Sequence, residues 1–202
     1  MDQGSKEWFE ARLGRITASR IGDVMAKLKS GKPAATRSNY VAEKVAEILT
    51  GEVSESYTSP AMAWGTETEP QARLAYELFL GKDVKEVGFI PHPDIEQAGA
   101  SPDGLVGDEG LIEIKCPNTA THICTLRGGS IDRKYLLQMQ WQMACTGRKW
   151  CDFVSYDPRL PDELSLFVVR VQRTDEVIKE IESEVREIIE EINGIVKELK
   201  GL

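Results

Sequence analysis

Residues 101–117 read SPDGLVGDEGLIEIKCP and join short apolar runs by turns rich in Gly, Pro and Asp. This composition is typical of strands connected by tight turns. Side chains alternate across a strand, so Glu113 and Lys115 are expected on one face and Ile114 on the other. A hairpin through the GDEG turn would bring the first face back beside Asp103. The segment therefore predicts two carboxylates and one lysine that converge at the end of a hairpin.

Two carboxylates and a lysine suit the metal-assisted hydrolysis of a phosphodiester. Mg²⁺ prefers hard oxygen ligands and is commonly held by one or two carboxylates together with a substrate phosphate. The cation polarises a phosphoryl oxygen and lowers the pKa of a bound water, which a nearby lysine can orient. A Pro-Asp-Gly turn or a Glu-x-Lys pair alone is more often structural. Together, with nine residues between Asp103 and Glu113, they match the PD-(D/E)xK nuclease pattern.

The rest of the chain predicts helices on both sides of this segment. Before it, helices are expected at residues 6–13, from a cap at Thr17 or Ser19 to about Leu28, from a Ser38 cap to Thr50, and from Pro60 to Leu80. After it, we expect a helix at residues 131–146, strands in KWCDFVSYD and LSLFVVRV, and an amphipathic helix at residues 174–200 with an acidic outer face. This order predicts an α/β (α+β) fold with a central mixed β-sheet flanked by helices, in a single domain of residues 1–202.

Composition sets limits on the class of protein. The 202 residues are 41% hydrophobic and 29% charged, which excludes collagen-like and wholly disordered chains. The net charge of -8 lies mostly in residues 174–202, which hold nine acids and four bases, so a local basic groove is still compatible with the sequence. The four cysteines form no C-x-x-C pair and are expected to be reduced thiols in the core. Without a long apolar run or a signal peptide, the sequence predicts a cytoplasmic protein.

Five segments occur in an order that resembles the lambda exonuclease family, the YqaJ-type viral recombinase nucleases. They are WFEARLGRITASR, AWGTETEPQAR, SPDGL, GLIEIKCP and KYLLQMQWQMACTGRKWCDFVSYDPR. The resemblance extends from about Trp8 to Arg173 and implies a restriction-endonuclease-like core. It also implies a Mg²⁺-dependent 5′→3′ exonuclease that uses two ions, with Mn²⁺ as a possible substitute. Such an enzyme digests one strand of linear duplex DNA from a 5′-phosphorylated end and leaves a 3′ single-stranded overhang.

The resemblance implies partners as well. The family's members act on double-stranded DNA ends, commonly form a homotrimer ring around DNA, and supply single strands to an annealing protein. They are phage or prophage proteins that work in a bacterial host.

The resemblance assigns the metal site residue by residue. Asp103 and Glu113, with the backbone carbonyl of Ile114, would hold Mg²⁺, and Lys115 would position the attacking water. Glu69 matches a helical carboxylate beside the metals, and Glu67 is the alternative if the register differs.

A glutamine on the following helix also belongs to this predicted site. Gln138 matches a glutamine near the metal-bound water. Gln140 is the competing candidate, although two residues further along a helix it should face elsewhere.

The DNA contacts are assigned in the same way. Arg12 matches the arginine that grips the 5′-phosphate, a task suited to a planar guanidinium, and Ser19 and Ser101 match hydroxyls that contact the same phosphate. Lys29 matches a basic DNA contact, in a loop that Lys32 and Arg37 would extend. The alternative roles are a surface ion pair with a glutamate for Arg12, a helix cap for Ser19 and a turn for Ser101. For Lys29 the alternative is a solvated loop charge.

Aromatic residues and histidines are expected to be structural. Trp8 and Trp64 should pack in the core beside the site, whereas His92 and His122 should be loop and surface residues. Thr121 stands where some relatives carry an arginine, which removes one phosphate contact.

Two other functions compete with the exonuclease. The first is a DNA-end-binding adaptor with the same fold and no cleavage, which the intact Asp103, Glu113 and Lys115 disfavour. The second is another nuclease of the superfamily, such as a structure-specific endonuclease. The absence of clustered cysteines argues against an iron–sulfur-containing member.

Overall fold

The computed structural model describes residues 1–53 and 59–202. The helices in these residues are α1 (Lys6–Arg12), α2 (Ile21–Val24), α3 (Ala35–Thr50), α4 (Pro60–Leu80), α5 (Thr119–Leu126), α6 (Arg133–Thr146), α7 (Asp162–Ser165) and α8 (Asp175–Lys200). The strands are β1 (Ile16–Thr17), β2 (Val84–Lys85), β3 (Ile90–Pro91), β4 (Ala98–Ala100), β5 (Gly104–Val106), β6 (Gly110–Lys115), β7 (Trp150–Tyr156) and β8 (Leu166–Gln172).

The central sheet is mixed. It has five strands in the order β2-β5-β6-β7-β8, in which β6 and β7 are parallel and the other neighbouring pairs are antiparallel. A smaller sheet has the order β1-β4-β3, with β1 parallel to β4. With helices packed on both faces of the central sheet, the predicted α/β (α+β) class is confirmed.

Strand β6 lies at the centre because both of its faces are covered. Ile112 and Ile114 pack with Ala72 and Tyr76 of α4. On the opposite face, Leu111 packs with Met139 and Met143 of α6. Five of its six residues are buried, which explains its nearly continuous apolar sequence. Glu113 shares the Leu111 face, so its side chain points toward α6.

Helix α8 completes the largest apolar cluster. Its buried side chains recur every three or four residues and pack with α3, α6 and the segment at α2. They are Ile178, Ile181, Val185, Ile188, Ile192 and Val196. Each fully buried aliphatic side chain contributes roughly 1.5–3 kcal/mol, so this face anchors the helix. The predicted helix at residues 174–200 is found at Asp175–Lys200, and Leu199 near its end is exposed.

Several predicted helix boundaries are wrong. The second helix stops at Val24, far short of Leu28, because the chain turns into a loop closed by a Lys27–Pro33 bridge. Helix α3 begins at Ala35 without a side-chain cap, so Ser38 lies inside it. Helix α6 begins at Arg133 because the Asp132 side chain accepts a hydrogen bond from the backbone N–H of Lys134.

The histidine and cysteine predictions need correction. His92 and His122 are both buried, not surface residues. His92 stacks on Trp141, and the ring nitrogens of His122 lie 2.7 Å from Ser155 Oγ and 2.9 Å from the Leu164 carbonyl oxygen. Of the thiols, Cys145 and Cys151 are buried as expected, Cys116 is half-buried and Cys124 is exposed.

Membrane insertion finds no support in the helices. Among the described residues, no helix combines the length and the apolar character needed to cross a bilayer.

Candidate active site

The β5–β6 hairpin brings Asp103 beside the end of β6. Gly104, the first residue of β5, pairs with Ile112. Asp103 directly precedes it and therefore lies just outside the paired part of the hairpin. The Asp103 Oδ2 atom accepts a 2.6 Å hydrogen bond from the backbone N–H of Ile114. This contact fixes the carboxylate at the point where β6 approaches its carboxyl end.

Glu113 is the most enclosed acid of this site and is fully buried. Its Oε1 atom accepts hydrogen bonds from Lys115 Nζ and from Gln138 Nε2, the latter at 2.8 Å. Its Oε2 atom accepts a 2.6 Å hydrogen bond from Gln142 Nε2. The buried carboxylate is therefore held by one ammonium group and two amides.

The competing glutamine, Gln140, faces away from the acids. Its amide bonds to the backbone of Gln172 and Thr174, at the start of the α8 segment. Gln138 is thus the residue of this pair that lies in the site.

The Ile114 backbone points into the same space. In a strand the N–H and C=O of one residue point to the same edge. Because the Ile114 N–H meets Asp103, its carbonyl also points to the Asp103 side, beyond the end of β5.

Glu69 joins the acids from helix α4. It lines a cleft of about 820 Å³ together with Asp103 and Lys115. Arg73 Nη2 lies 2.6 Å from its Oε1 atom. Glu67, two residues earlier, is exposed and does not line that cleft. Glu69 is therefore the acid of this pair that lies beside Asp103.

Burial and neighbouring charges disfavour the ionised form of two carboxylates at the site. Burial, followed by the nearby charge of Glu113, raises the pKa of Asp103 well above its ordinary value. Burial also raises the pKa of Glu69, with Arg73 opposing the shift. Burial alone would lower the pKa of Lys115, but Glu113 and Asp103 raise it above its usual range. A cation bound beside carboxylates whose ionised form is disfavoured by burial, and secondly by Glu113, would stabilise that form.

The donor set fits a magnesium ion. No group of three or more His, Cys, Asp or Glu side chains in the described residues forms a complete metal cage. Mg²⁺ needs no such cage, because it retains several waters and binds through one or two carboxylates plus substrate phosphate. Asp103, Glu113 and the Ile114 carbonyl are hard oxygen donors of that kind.

A second pocket, of about 340 Å³, contains Arg12 and Ser19. The Arg12 guanidinium lies 4.0 Å from the Trp8 ring centroid, and its Nη1 atom donates a 3.2 Å hydrogen bond to Ser101 Oγ. Trp8 Nε1 donates to the same oxygen at 2.9 Å. Within the described residues Arg12 forms no ion pair with a carboxylate. The pocket therefore offers a desolvated positive charge that can accept an anion.

The acid cleft and the Arg12 pocket are connected. An intermediate cavity of about 760 Å³ shares Met62, Thr66 and Glu69 with the acid cleft. The same cavity shares Trp8, Phe9 and Met62 with the Arg12 pocket. Ser101 and Asp103 connect the two along the chain as well.

The predicted basic loop does not form as expected. Lys29 and Lys32 are exposed and line neither the acid cleft nor the Arg12 pocket. Arg37 lies within α3, is buried, and pairs with Glu191 of α8 at 2.5 Å. Its role in a DNA-binding loop is therefore wrong, because the early start of α3 turns it toward α8.

The two tryptophans form walls of the cavities instead of core. Both are half-buried, and each carries an arginine against its ring, Arg12 on Trp8 and Arg159 on Trp64, the latter at 4.4 Å. Thr121, the position where some relatives were expected to carry an arginine, lines the acid cleft. Its neighbours in sequence, Ala120 and His122, are not arginines either.

Sequence reasoning missed Gln142. The signal was present, because Gln138 and Gln142 are four residues apart and therefore share one face of a helix. It also missed Arg159, which lines the acid cleft and is held by Asp157 at 2.7 Å.

Comparison with known proteins identifies the family. Residues 7–149 match the family model of the YqaJ-like viral recombinase domain. The chain belongs to this family. A search of curated proteins finds no match.

Solved structures agree with this assignment. The alkaline exonuclease LHK-Exo from Laribacter hongkongensis is 54% identical over 97% of this chain and 96% of its own, with a TM-score of 0.91, and its complex with dAMP gives the same values. A phage related exonuclease from Haemophilus somnus 129PT is 18% identical over 92% of this chain and 96% of its own, with a TM-score of 0.70, and shares the fold. The protein is a homologue of an alkaline exonuclease.

Proposed function

We propose that the protein is a Mg²⁺-dependent 5′→3′ exonuclease that digests one strand of linear duplex DNA from a 5′-phosphorylated end. The observation that carries this proposal is the connection between the Arg12 pocket and the acid site through Ser101–Pro102–Asp103. A pocket for a terminal phosphate and a site for cleaving the next phosphodiester then lie two residues apart. The 54% identity to an alkaline exonuclease supports the same activity.

The acid site performs the hydrolysis. Asp103, Glu113 and the Ile114 carbonyl would hold Mg²⁺, and the bound ion would polarise the phosphoryl oxygen and lower the pKa of a bound water. The Lys115 ammonium group, fixed by Glu113, orients the attacking water, and Gln138 and Glu69 lie beside it. This arrangement is that of the PD-(D/E)xK nucleases.

The reaction breaks one P–O bond. Water oxygen attacks the first internal phosphorus, the bond to the 3′ oxygen of the terminal nucleotide breaks, and that oxygen takes up a proton. The product is a 5′-mononucleotide, and the shortened strand again begins with a 5′-phosphate. Each cut therefore regenerates the group that the Arg12 pocket binds.

The terminal phosphate is bound by Arg12, Ser101 and Ser19. The guanidinium is positioned by Trp8 and Ser101 without a carboxylate partner among the described residues, so its charge is available to an anion. A charge-assisted contact to a group present only at the end selects ends over internal sites. Lys29 contributes a further DNA contact.

The assembly and its partners belong to the same proposal. A homotrimer ring encloses the duplex, and the 3′ overhang passes to a single-strand annealing protein. The site would hold two metal ions, and Mn²⁺ could replace Mg²⁺. The enzyme acts in the cytoplasm of a bacterial host of a phage or prophage.

End-labelled linear duplex tests the function. Duplexes with 5′-phosphate and 5′-hydroxyl ends are incubated with the protein in Mg²⁺ and in EDTA, and a covalently closed circle of the same DNA serves as the control. We expect mononucleotides released fastest from 5′-phosphate ends, no digestion in EDTA, and an intact circle. Binding of ends without cleavage would identify an adaptor, and a cut circle would identify an endonuclease.

A further inference from the structure

Glu113 has nearly all of its hydrogen-bonding capacity occupied. Each oxygen of an ionised carboxylate has two lone pairs. On Oε1 both are used, by Lys115 Nζ and Gln138 Nε2. On Oε2 one is used, by Gln142 Nε2. One lone pair, on Oε2, is left for a cation.

Gln142 fixes the orientation of the Glu113 carboxylate, and so the direction in which the remaining lone pair on Oε2 points. It is fully buried on α6, with its Nε2 atom 2.6 Å from Glu113 Oε2. The opposite end of the amide is also fixed, since the Cys151 thiol lies 3.9 Å from Gln142 Oε1 as a donor. Cys151 lies on β7, so the amide is held between α6 and the central sheet and cannot turn its oxygen toward Glu113 without losing both contacts.

We propose that Gln142 is a positioning residue that sets the metal affinity of the site by holding Glu113 for single-oxygen coordination through Oε2. The inference rests on the proposed function, because it assumes that Glu113 is a ligand. Residues that orient ligands typically change metal affinity or activity by about 10- to 100-fold when removed.

The chain contains a matched control on the same helix. Gln140 is also buried on α6 and also makes two hydrogen bonds, to the Gln172 carbonyl and from the Thr174 N–H. It faces the α8 segment instead of Glu113. Loss of a buried amide should therefore cost both variants stability, whereas loss of ligand positioning should affect only one.

The experiment compares Gln142→Leu with Gln140→Leu in the intact protein. Mg²⁺ is titrated without DNA and its binding is followed by the rise in melting temperature, since a ligand that binds only the folded state stabilises it. We expect the Mg²⁺ midpoint to rise by about 10- to 100-fold in Gln142→Leu and to stay unchanged in Gln140→Leu. The Mg²⁺ concentration for half-maximal digestion should rise by the same factor. Gln142→Asn, whose shorter amide keeps its polarity but cannot reach Glu113, provides the same measurement if Gln142→Leu does not fold.

The outcomes separate this inference from the proposed function. Equal Mg²⁺ midpoints in wild type, Gln142→Leu and Gln142→Asn, with normal digestion by wild type, would overturn the role of Gln142 alone. The expected rise in midpoint with no digestion by wild type would support the positioning role and overturn the exonuclease. Absence of Mg²⁺ binding by wild type would overturn both.

Discussion

Arg12 shows how one side chain can be prepared for an anion. Its guanidinium lies against Trp8 and Ser101, and burial lowers its pKa, because the charged form loses hydration there. A charge kept out of water without a carboxylate partner gains from a phosphate more than a hydrated charge does. The proposed end recognition depends on this residue.

Arg12→Ala should remove the preference for phosphorylated ends. Hydrogen bonds to charged groups are worth roughly 1.5–3 kcal/mol, so digestion of 5′-phosphate ends should slow by about 10- to 150-fold. On 5′-hydroxyl ends the contact is already absent, so the rate should hardly change. The measurement is the ratio of the two rates, with Arg15→Ala as the control because Arg15 carries the same charge and lies near Phe89 instead of in the pocket. A ratio unchanged in Arg12→Ala would contradict the assignment.

Asp103→Asn should stabilise the metal-free protein while abolishing digestion. The pKa of Asp103 is raised by burial and by Glu113, so its charge opposes folding when no cation is bound. Asparagine keeps an acceptor for the Ile114 N–H and loses the charge. We expect a higher melting temperature than that of wild type in EDTA, because an uncompensated buried charge is removed. Asp108→Asn, at an exposed position of the same hairpin, should change neither property. A lower melting temperature in Asp103→Asn would contradict this account.

At the scale of elements, hydrophobic periodicity predicted which face of a helix or strand is buried better than it predicted where the element begins or ends. The buried face of α8 and the alternation of Glu113 and Lys115 on β6 follow from local geometry, so the sequence was sufficient for both. The start of α3 depends on packing against α8, and no capping side chain marks it, so the prediction at Ser38 was wrong. Gln142 was missed although it shares a helix face with Gln138, because the family resemblance assigned only Gln138 and helix geometry alone does not show that this face meets Glu113.

The end of β7 provides a pH-dependent test. Asp157 is fully buried and accepts hydrogen bonds from Arg159, which lower its pKa to about 2. A lowered folded-state pKa contributes stability above the unfolded value of about 3.9, and that stability disappears as the pH falls toward 2. The difference in unfolding free energy between wild type and Asp157→Asn should therefore be largest above pH 4 and shrink toward pH 2. A difference independent of pH would show that the carboxylate charge is not involved.

At the scale of the whole molecule, the acidic helix and the site occupy different regions. The acids of α8 are of two kinds, since Glu184 and Glu191 pair with Lys27 and Arg37, whereas the exposed Glu187 and Glu190 form no ion pair within the described residues. The sequence predicted one acidic outer face because it could not show which acids have partners. Net charge therefore says little about the local charge of the groove that is proposed to bind DNA.

Glu187→Gln combined with Glu190→Gln should leave the salt dependence of DNA binding unchanged. If α8 faces away from the duplex, these charges release no phosphate counterions, and the slope of log affinity against log salt stays constant. Lys29→Ala is the positive comparison, because loss of one phosphate contact should make that slope shallower by about one. A steeper or shallower slope in the double variant would place the helix beside DNA.

The short connection between Ser101 and Asp103 has a consequence for the step size of the enzyme. Two residues of extended chain span at most about 7 Å. Pro102 between them has a fixed φ angle, and its carbonyl oxygen accepts a 2.9 Å hydrogen bond from Gln3 Nε2. In the proposed function, a strand whose terminal phosphate binds beside Ser101 would be cut beside Asp103, one nucleotide further on. If that function is correct, the short and fixed connection between the two sites sets the length of the product, and every turnover should shorten the strand by one nucleotide whatever bases it contains.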